Sequence, residues 1–502
     1  MVRLWFAVVL AGTGLVPDLR GGVEGRARWP QFRGPDTLGV APDGMKLPVQ
    51  FGPAQNVVWE TPLPAGYSSP CIWDDRIFLT GFAPQEQKLE TICLDRHKGQ
   101  VLWRRTAPTK QIEKVRKLNS PAVATPATDG QRVYVYFGSY GLLSYDFQGN
   151  ELWKKPLPPP RTSFGTAGSP VLADELLLLN CEFNPDPCLI AVRARTGETV
   201  WKKARKLASL GGPVDGYASP LLWRHDGVDE VVLHGRMRLT AYDLKDGAER
   251  WSVAATSSAC STPVLGEGRL FHVAHGFGTV EGETHDLPTF DALLKKYDKN
   301  GDGQISAAEF PRDVYIFQRL DISGTDLPLS LFFGMVDTDK NGQITRPEWD
   351  NFLKKRREIE GQQLVGLLAI KPGGRGDITK THIQWREKRA LCEVPSPLYY
   401  RERVYMVRDG GIVSCLEAMT GRLVYRERLG PAGAYFSSPV AGDGKIYVAS
   451  QHGVVVVFAA GDQFTVLARN DMAEPIEATP ALADGKIYLR TEKHLYALGA
   501  TR

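Results

Sequence analysis

Two twelve-residue stretches, 39 residues apart, carry oxygen-bearing side chains at the spacing a hard cation needs. In Asp298-Lys-Asn-Gly-Asp-Gly-Gln-Ile-Ser-Ala-Ala-Glu309, Asp298, Asn300 and Asp302 stand at positions 1, 3 and 5. Asp337, Asp339 and Asn341 take the same places in Asp337-Thr-Asp-Lys-Asn-Gly-Gln-Ile-Thr-Arg-Pro-Glu348. Gly303 and Gly342 fall where the backbone must turn sharply, and Gln304 and Gln343 can give carbonyls at position 7. Glu309 and Glu348 close each set with a two-oxygen carboxylate. Calcium takes six to eight oxygens in flexible geometry, so these ten residues predict two calcium ions.

Such loops need helices on either side to hold them. Leu287-Pro-Thr-Phe-Asp-Ala-Leu-Leu-Lys-Lys-Tyr297 and Leu327-Pro-Leu-Ser-Leu-Phe-Phe-Gly-Met-Val336 bring apolar residues at helical spacing into each loop. Phe310, Val314 and Phe317 continue that spacing after the first loop, and Trp349, Phe352 and Leu353 after the second. Ile305 and Ile344, at position 8, predict a two-stranded ribbon between the loops. The whole pattern resembles an EF-hand pair spanning residues 285–362, which implies an α-helical unit.

The rest of the chain follows a different period. Ser-Pro or Thr-Pro recurs at Pro70, Pro126, Pro170, Pro220, Pro263, Pro397, Pro439 and Pro480. A short apolar strand, a turn and a second strand follow most of them, with Asp-Gly hairpin signals clearest before Lys445 and Lys486. A third strand then runs into a polar turn containing glycine and an aromatic residue, as at Trp103, Trp251 and Tyr425; Trp153, Trp201 and Trp385 fill the same place elsewhere. Successive prolines lie 41 to 56 residues apart, except for a gap of 134 between Pro263 and Pro397. Forty-odd residues holding four short strands make a propeller blade, and eight starts predict eight blades. The fold expected is therefore all-β, with four-stranded antiparallel blades over residues 45–278 and 364–502. The EF-hand pair is inserted in blade five, between Leu270-Phe-His-Val-Ala274 and Leu364-Val-Gly-Leu-Leu-Ala-Ile370. Blade eight stops after three strands, and Asn56-Val-Val-Trp-Glu-Thr61 reads as its missing fourth, closing the ring and removing two bare sheet edges.

These starts, hairpins and tryptophan-bearing endings are similar to the pyrroloquinoline-quinone-like propeller repeat. That repeat is shared by quinoprotein alcohol dehydrogenases and an outer-membrane-assembly lipoprotein scaffold. The opening Trp29-Pro-Gln-Phe-Arg-Gly-Pro-Asp36 and Gly66-Tyr-Ser-Ser-Pro70 resemble a secreted bacterial branch of the superfamily. The resemblance implies a fold more than an activity, because the same propeller hosts catalysts and scaffolds.

At 43% hydrophobic and 24% charged, the 502 residues suit a folded globular chain. A net charge of +4 gives no case for nucleic-acid binding. The basic runs Lys110-Gln-Ile-Glu-Lys-Val-Arg-Lys117 and Lys354-Lys-Arg-Arg357 read as solvated faces. Arg3, the apolar run Leu4 to Val16 and Pro17 suit a secretory signal within residues 1–27, too short to span a bilayer. No cysteine precedes Cys71, so no lipoprotein anchor is expected and the chain should be exported, periplasmic or extracellular. Of seven cysteines, Cys181 and Cys188 bracket a turn and could join across a hairpin. Cys93 and Cys415 read as small core residues, and Cys71, Cys260 and Cys392 lie near blade starts with no base beside them.

The resemblance implies, for its dehydrogenases, a quinone held over calcium in the central channel with an adjacent-cysteine disulfide. No Cys-Cys pair exists here. Tyr67-Ser-Ser69, Asp215-Gly-Tyr217, Tyr435-Phe-Ser-Ser438 and Glu474-Pro-Ile-Glu477 could line a polar funnel, but strand-capping serine and packing tyrosine account for them better. His234, His272, His275 and His285 have no metal-ligand spacing. No catalytic set stands out. The expectation is an exported, calcium-binding, non-catalytic scaffold that engages a protein or envelope component through its propeller loops. A quinone-dependent dehydrogenase and a carbohydrate- or envelope-binding module are the alternatives.

Overall fold

The structure, a computed structural model, describes residues 27–205, 215–256, 260–275, 286–317, 327–362 and 364–500. The expected signal segment lies outside the described residues up to its last position, as does His285. Eight antiparallel sheets form the ring. In blade seven the strands are Val440–Gly442, Lys445–Ala449, Val454–Ala459 and Val466–Asp471, from the innermost outwards. Asp443 and Gly444 turn the chain with φ of 53° and 70°, the left-handed pair that a two-residue primed turn requires. Val455, Val456 and Val457 are all fully buried, because neighbouring blades cover both faces of each sheet. Inner strands therefore read as continuous apolar runs and not as alternation.

The Ser/Thr-Pro signature has a physical cause. The hydroxyl before seven of the eight prolines accepts a hydrogen bond from the backbone N–H of its counterpart in the preceding blade. Ser69 N–H donates to Thr125, Thr125 to Ser169, Ser169 to Ser219, Ser219 to Thr262, Thr262 to Ser396, Ser396 to Ser438 and Ser438 to Thr479, all at 2.9–3.1 Å. A belt of seven such bonds stitches eight blades together. The glycine-tryptophan signature is a second relay. The indole of Trp103, Trp153, Trp201 and Trp385 lies on the turn glycine of the next blade, where a Cβ on Gly149, Gly197, Gly247 or Gly421 would meet the ring at 2.5–2.7 Å. Each indole N–H donates to a backbone carbonyl of that same turn, at 2.9–3.0 Å.

Ring closure uses the same parts. Val57–Pro62 pairs antiparallel with His494–Leu498 as the outer strand of blade eight. Trp59 then repeats the relay onto blade one, its N–H donating to the Arg96 carbonyl at 2.9 Å and its ring covering Gly99. Arg490, wholly buried, adds bonds to Ser68 and the Thr80 and Pro64 carbonyls across the same join.

Blade five carries the insertion where the sequence places it. Arg269–Ala274 pairs with Gly366–Ile370, the second and third strands, and the inserted unit leaves and returns between them. Phe290–Tyr297 is a helix capped by Thr289, and Arg346–Gln362 is the long helix after the second loop. Ile305 and Ile344 pair as the predicted ribbon. The helical continuation predicted through Phe310, Val314 and Phe317 is absent. Tyr315–Phe317 is instead a short strand paired with Leu327–Pro328. Pro311 disfavours a helical conformation at Phe310, and Tyr-Ile-Phe is a strand-forming run, so local preference overrides the apolar spacing.

Two blades hold five strands. In blade four, Gly376–Asp377 runs parallel to the outer strand Glu249–Ala254. It comes from the long connection between the third and fourth strands of blade five. In blade one, Arg28–Trp29 pairs with the innermost strand, Cys71–Trp73. The segment 27–41, which the sequence left outside the propeller, continues from there and touches all eight innermost strands or their first residues. The Pro30 carbonyl accepts from Cys71 in blade one and from the Thr128 N–H in blade two, and the Gln31 side chain accepts from the Leu172 N–H in blade three. Pro35–Thr37 lies against Leu221–His225 of blade four, and Leu38 packs against the apolar cluster that Val264 and Phe271 of blade five form with blade six. Arg33 donates to the Pro397 carbonyl of blade six at 2.7 Å. Gly39 and Ala41 exchange backbone bonds with Ala441 of blade seven, and Arg28–Trp29 lies against Ala481–Ala483 of blade eight. Only a segment on the ring axis can reach all eight. Residues 27–41 fill the central channel.

Candidate metal centre and central channel

In the second loop, the ribbon residue Ile344 and Trp349 are buried in the apolar centre of the inserted unit, which fixes the chain on both sides of the metal-ligand positions. Oxygens of Asp337, Asp339 and Glu348 come within 4.8 Å of one another, the one such acidic trio among the described residues. Asp337 accepts from the Gly342 N–H at 3.0 Å and the Asn341 N–H at 3.1 Å, which pulls the turn around it. Asn341 accepts from the Gln343 N–H at 2.7 Å. Glu348 bridges the loop: one oxygen accepts from the N–H and hydroxyl of Thr338 at 2.9 and 3.1 Å, the other from the N–H and hydroxyl of Thr345 at 2.9 and 2.8 Å. Burial pushes the Glu348 carboxyl up, but these four donors outweigh it and hold it down at about 2. The Gln343 side-chain oxygen is buried without a hydrogen-bond donor.

The first loop repeats the scheme in the open. Asp298 accepts from the N–H groups of Gly301 and Gly303 at 2.7 and 3.0 Å, and Asn300 and Asp302 accept from Asp302 and Gln304. Glu309 accepts from the Ser306 hydroxyl and N–H and from the Lys299 N–H, and in that order they hold it down at about 2. The second loop, with Asp337, Asp339 and Glu348 brought together, is the more gathered of the two. Carboxylate and amide oxygens form an all-oxygen set that fits a hard divalent cation.

The channel does not fit a quinone. Trp29 and Arg33 are wholly buried and Thr37 nearly so, inside the ring where the resemblance implies pyrroloquinoline quinone. Gly34, at φ 70°, lies flat on Trp29, where a Cβ would meet the indole at 2.5 Å. The chain's own backbone takes the space. Its sequence signal is Trp29-Pro-Gln-Phe-Arg-Gly-Pro-Asp36, which holds large apolar groups and strict turn residues ahead of the first complete blade.

The remaining candidates fall into structural roles. Ser69 and Ser438 belong to the hydroxyl belt. The Tyr435 hydroxyl donates to the Pro431 carbonyl at 2.8 Å, and Glu474 accepts from Thr491 and His494. Glu477, raised to about 7 mainly by burial, accepts from Gln451 at 2.8 Å. Cys181 and Cys188 stand directly opposite across their hairpin, the placement a cross-strand link would need. His234 and His272 meet edge to face at 4.2 Å between blades four and five, wholly enclosed.

An eight-bladed propeller with a paired cation-loop insertion and a filled axis defines the class. Within it, a family model described as outer membrane protein assembly factor BamB matches residues 52–216, 185–293 and 409–501. That is more than half of the chain, which belongs to this family. An EF-hand domain pair matches residues 289–352. No curated protein matches the sequence. Among solved structures, BamB from Moraxella catarrhalis is 13% identical, covers 88% of this chain and 99% of its own, and superposes with a TM-score of 0.51. The quinohemoprotein alcohol dehydrogenase of Comamonas testosteroni is 12% identical over 95% of this chain and 81% of its own, at 0.56. A europium-containing methanol dehydrogenase is 12% identical over 94% and 98%, at 0.53. At such identities these likenesses establish the fold alone.

Proposed function

We propose that the protein is an exported, calcium-binding scaffold that engages a protein or envelope component and is not a catalyst. The observation that carries the reading is the filled channel, because residues 27–41 occupy the axis on which a propeller would otherwise hold a ligand. The family's description as an assembly factor supports a binding role. No helix among the described residues is long and apolar enough to cross a membrane. Calcium would be held by Asp298, Asn300, Asp302, Gln304 and Glu309 in one loop and by Asp337, Asp339, Asn341, Gln343 and Glu348 in the other. Bound there, the ions would supply charge that fixes both loops and their helices. Exported modules work at roughly 10⁻⁴–10⁻³ M affinity, which makes an occupied, structural site the natural role.

Calorimetric titration of the chelator-treated full chain tests this reading. Two calcium ions should bind, and Glu309→Gln and Glu348→Gln should each weaken one site by at least tenfold. No heat at millimolar calcium would remove the metal half of the proposal. Reduction of an electron acceptor by alcohol or sugar after loading with pyrroloquinoline quinone would overturn the non-catalytic half.

A further inference from the structure

The outer strands of blades one, two and three share a pattern that the other blades break. Each runs aliphatic, tryptophan, basic, basic: Leu102-Trp-Arg-Arg105, Leu152-Trp-Lys-Lys155 and Val200-Trp-Lys-Lys203. A bulge before each tryptophan turns the aliphatic residue outwards, so that Leu102, Leu152 and Val200 are 45%, 46% and 40% exposed. The first basic residue is neutralised locally, Arg104 by Glu90, Lys154 by Glu151 and Lys202 by Asp186. The second is not: Arg105 donates only to carbonyls, and Lys155 and Lys203 have no carboxylate in reach among the described residues. At that same position blade four has Val253, blades five and six have Glu387 and Glu427, and blades seven and eight have Asn470 and Thr61. One unpaired cation per blade, beside one exposed aliphatic, thus marks three successive blades and no others.

Blade four shows what such an edge accepts. Just past its bulge, Trp251 and Ser252 pair with Gly376 and Asp377; the Ser252 carbonyl accepts from the Ile378 N–H, and the Ala254 N–H donates to Thr379, both at 2.9 Å. The corresponding outward groups, the Arg104 carbonyl (which also accepts from the Arg105 side chain) with the Thr106 N–H and the Lys202 carbonyl with the Ala204 N–H, lie on edges of blades one and three that no described strand covers. In blade two the equivalent donor is missing, because the residue is Pro156.

We propose that the outer edges of blades one and three are docking sites for an extended acidic segment of a partner protein. The segment adds as a fifth strand, as Gly376–Asp377 does on blade four, and Lys155 of blade two lends charge between the two sites. Main-chain bonds supply attachment, and the cation and aliphatic residue select acidic and apolar side chains. A bilayer fits less well, because successive blades of an eight-membered ring turn by about 45° and present a convex rim. The proposal rests on the scaffold reading and names its partner chemistry.

A short synthetic peptide alternating glutamate and valine tests it, read by tryptophan fluorescence and calorimetry on the calcium-loaded full chain. Binding should occur, weaken with salt, and fall at least tenfold in the triple variant Arg105→Glu, Lys155→Glu, Lys203→Glu. The double variant Thr106→Pro, Ala204→Pro should abolish it while leaving the surface charge intact. Melting temperature and calcium stoichiometry are recorded for every variant, so a misfolded protein is recognised. Equal binding of a lysine-valine peptide, no effect of either variant, or binding to anionic phosphatidylglycerol vesicles in place of the peptide would overturn the proposal. None of these outcomes touches the calcium titration or the quinone assay, so the scaffold reading fails or stands separately.

Discussion

Two residues between blades four and five set how the molecule responds to acid. His234 is wholly buried, and burial outweighs the Ser261 carbonyl at 3.1 Å to hold its imidazole down at about 4. Arg205 pushes it in the same direction, and His272 lies well below its usual value for the same main reason, with neither ring nitrogen partnered. A base whose folded value is depressed is neutral in the fold and binds its proton more readily when unfolded, so stability is full above about 6.5 and falls as pH drops towards 4. For His234 the shift amounts to about 3 kcal/mol, at about 1.4 kcal/mol for each unit. His272→Leu should flatten this decline in melts taken between pH 4 and 6.5, because it removes one buried base and leaves no partner stranded. An unchanged acid limb would place the sensitivity elsewhere. At this scale the sequence was legible only where chemistry repeats a fixed spacing. The two EF-hand loops could be read residue by residue, whereas the histidines met through the packing of two blades and left no local signal.

At the scale of the element, the propeller was legible because each blade repeats its own contacts. The hydroxyl belt demands Ser or Thr before each proline, and the tryptophan relay demands glycine in the next turn, so both constraints are written eight times or nearly so. That redundancy made the displaced strand Val57–Pro62 visible, since it carries the tryptophan of a blade with no other strands near it. Trp59→Ala should cost about 3–5 kcal/mol, because it removes a buried aromatic anchor and leaves a cavity at the closing seam. Denaturant melts should show this loss with cooperativity retained, and a loss below about 1 kcal/mol would mean that the Arg490 and Arg96 contacts close the ring unaided. Elements that occur once were harder to read. The strand at Tyr315–Phe317 hid behind helical spacing, and the segment 27–41 has no second copy to reveal its pattern.

For the whole molecule, the question is whether the ring depends on the unit inserted in it. Ala274 and Gly366 face each other in register, so the insertion begins and ends at paired positions of one hairpin. A hairpin whose ends are already held by strand pairing loses little when its loop changes length, since closure entropy grows only as the logarithm of loop size. The apolar centre of the inserted unit is also its own: Phe290, Leu293, Ile305, Phe310, Val336, Ile344 and Trp349 form one cluster that shares no member with those of the blades. Replacing residues 276–363 with a short Gly-Ser linker should therefore leave a soluble ring that melts in one transition and no longer binds calcium through the loops. It should also bind the acidic peptide at the rim of blades one and three with unchanged affinity, because neither blade contributes to the insertion. Aggregation of the shortened chain, or melting in several steps, would mean that the inserted unit braces blade five and that ring and insertion form one cooperative body.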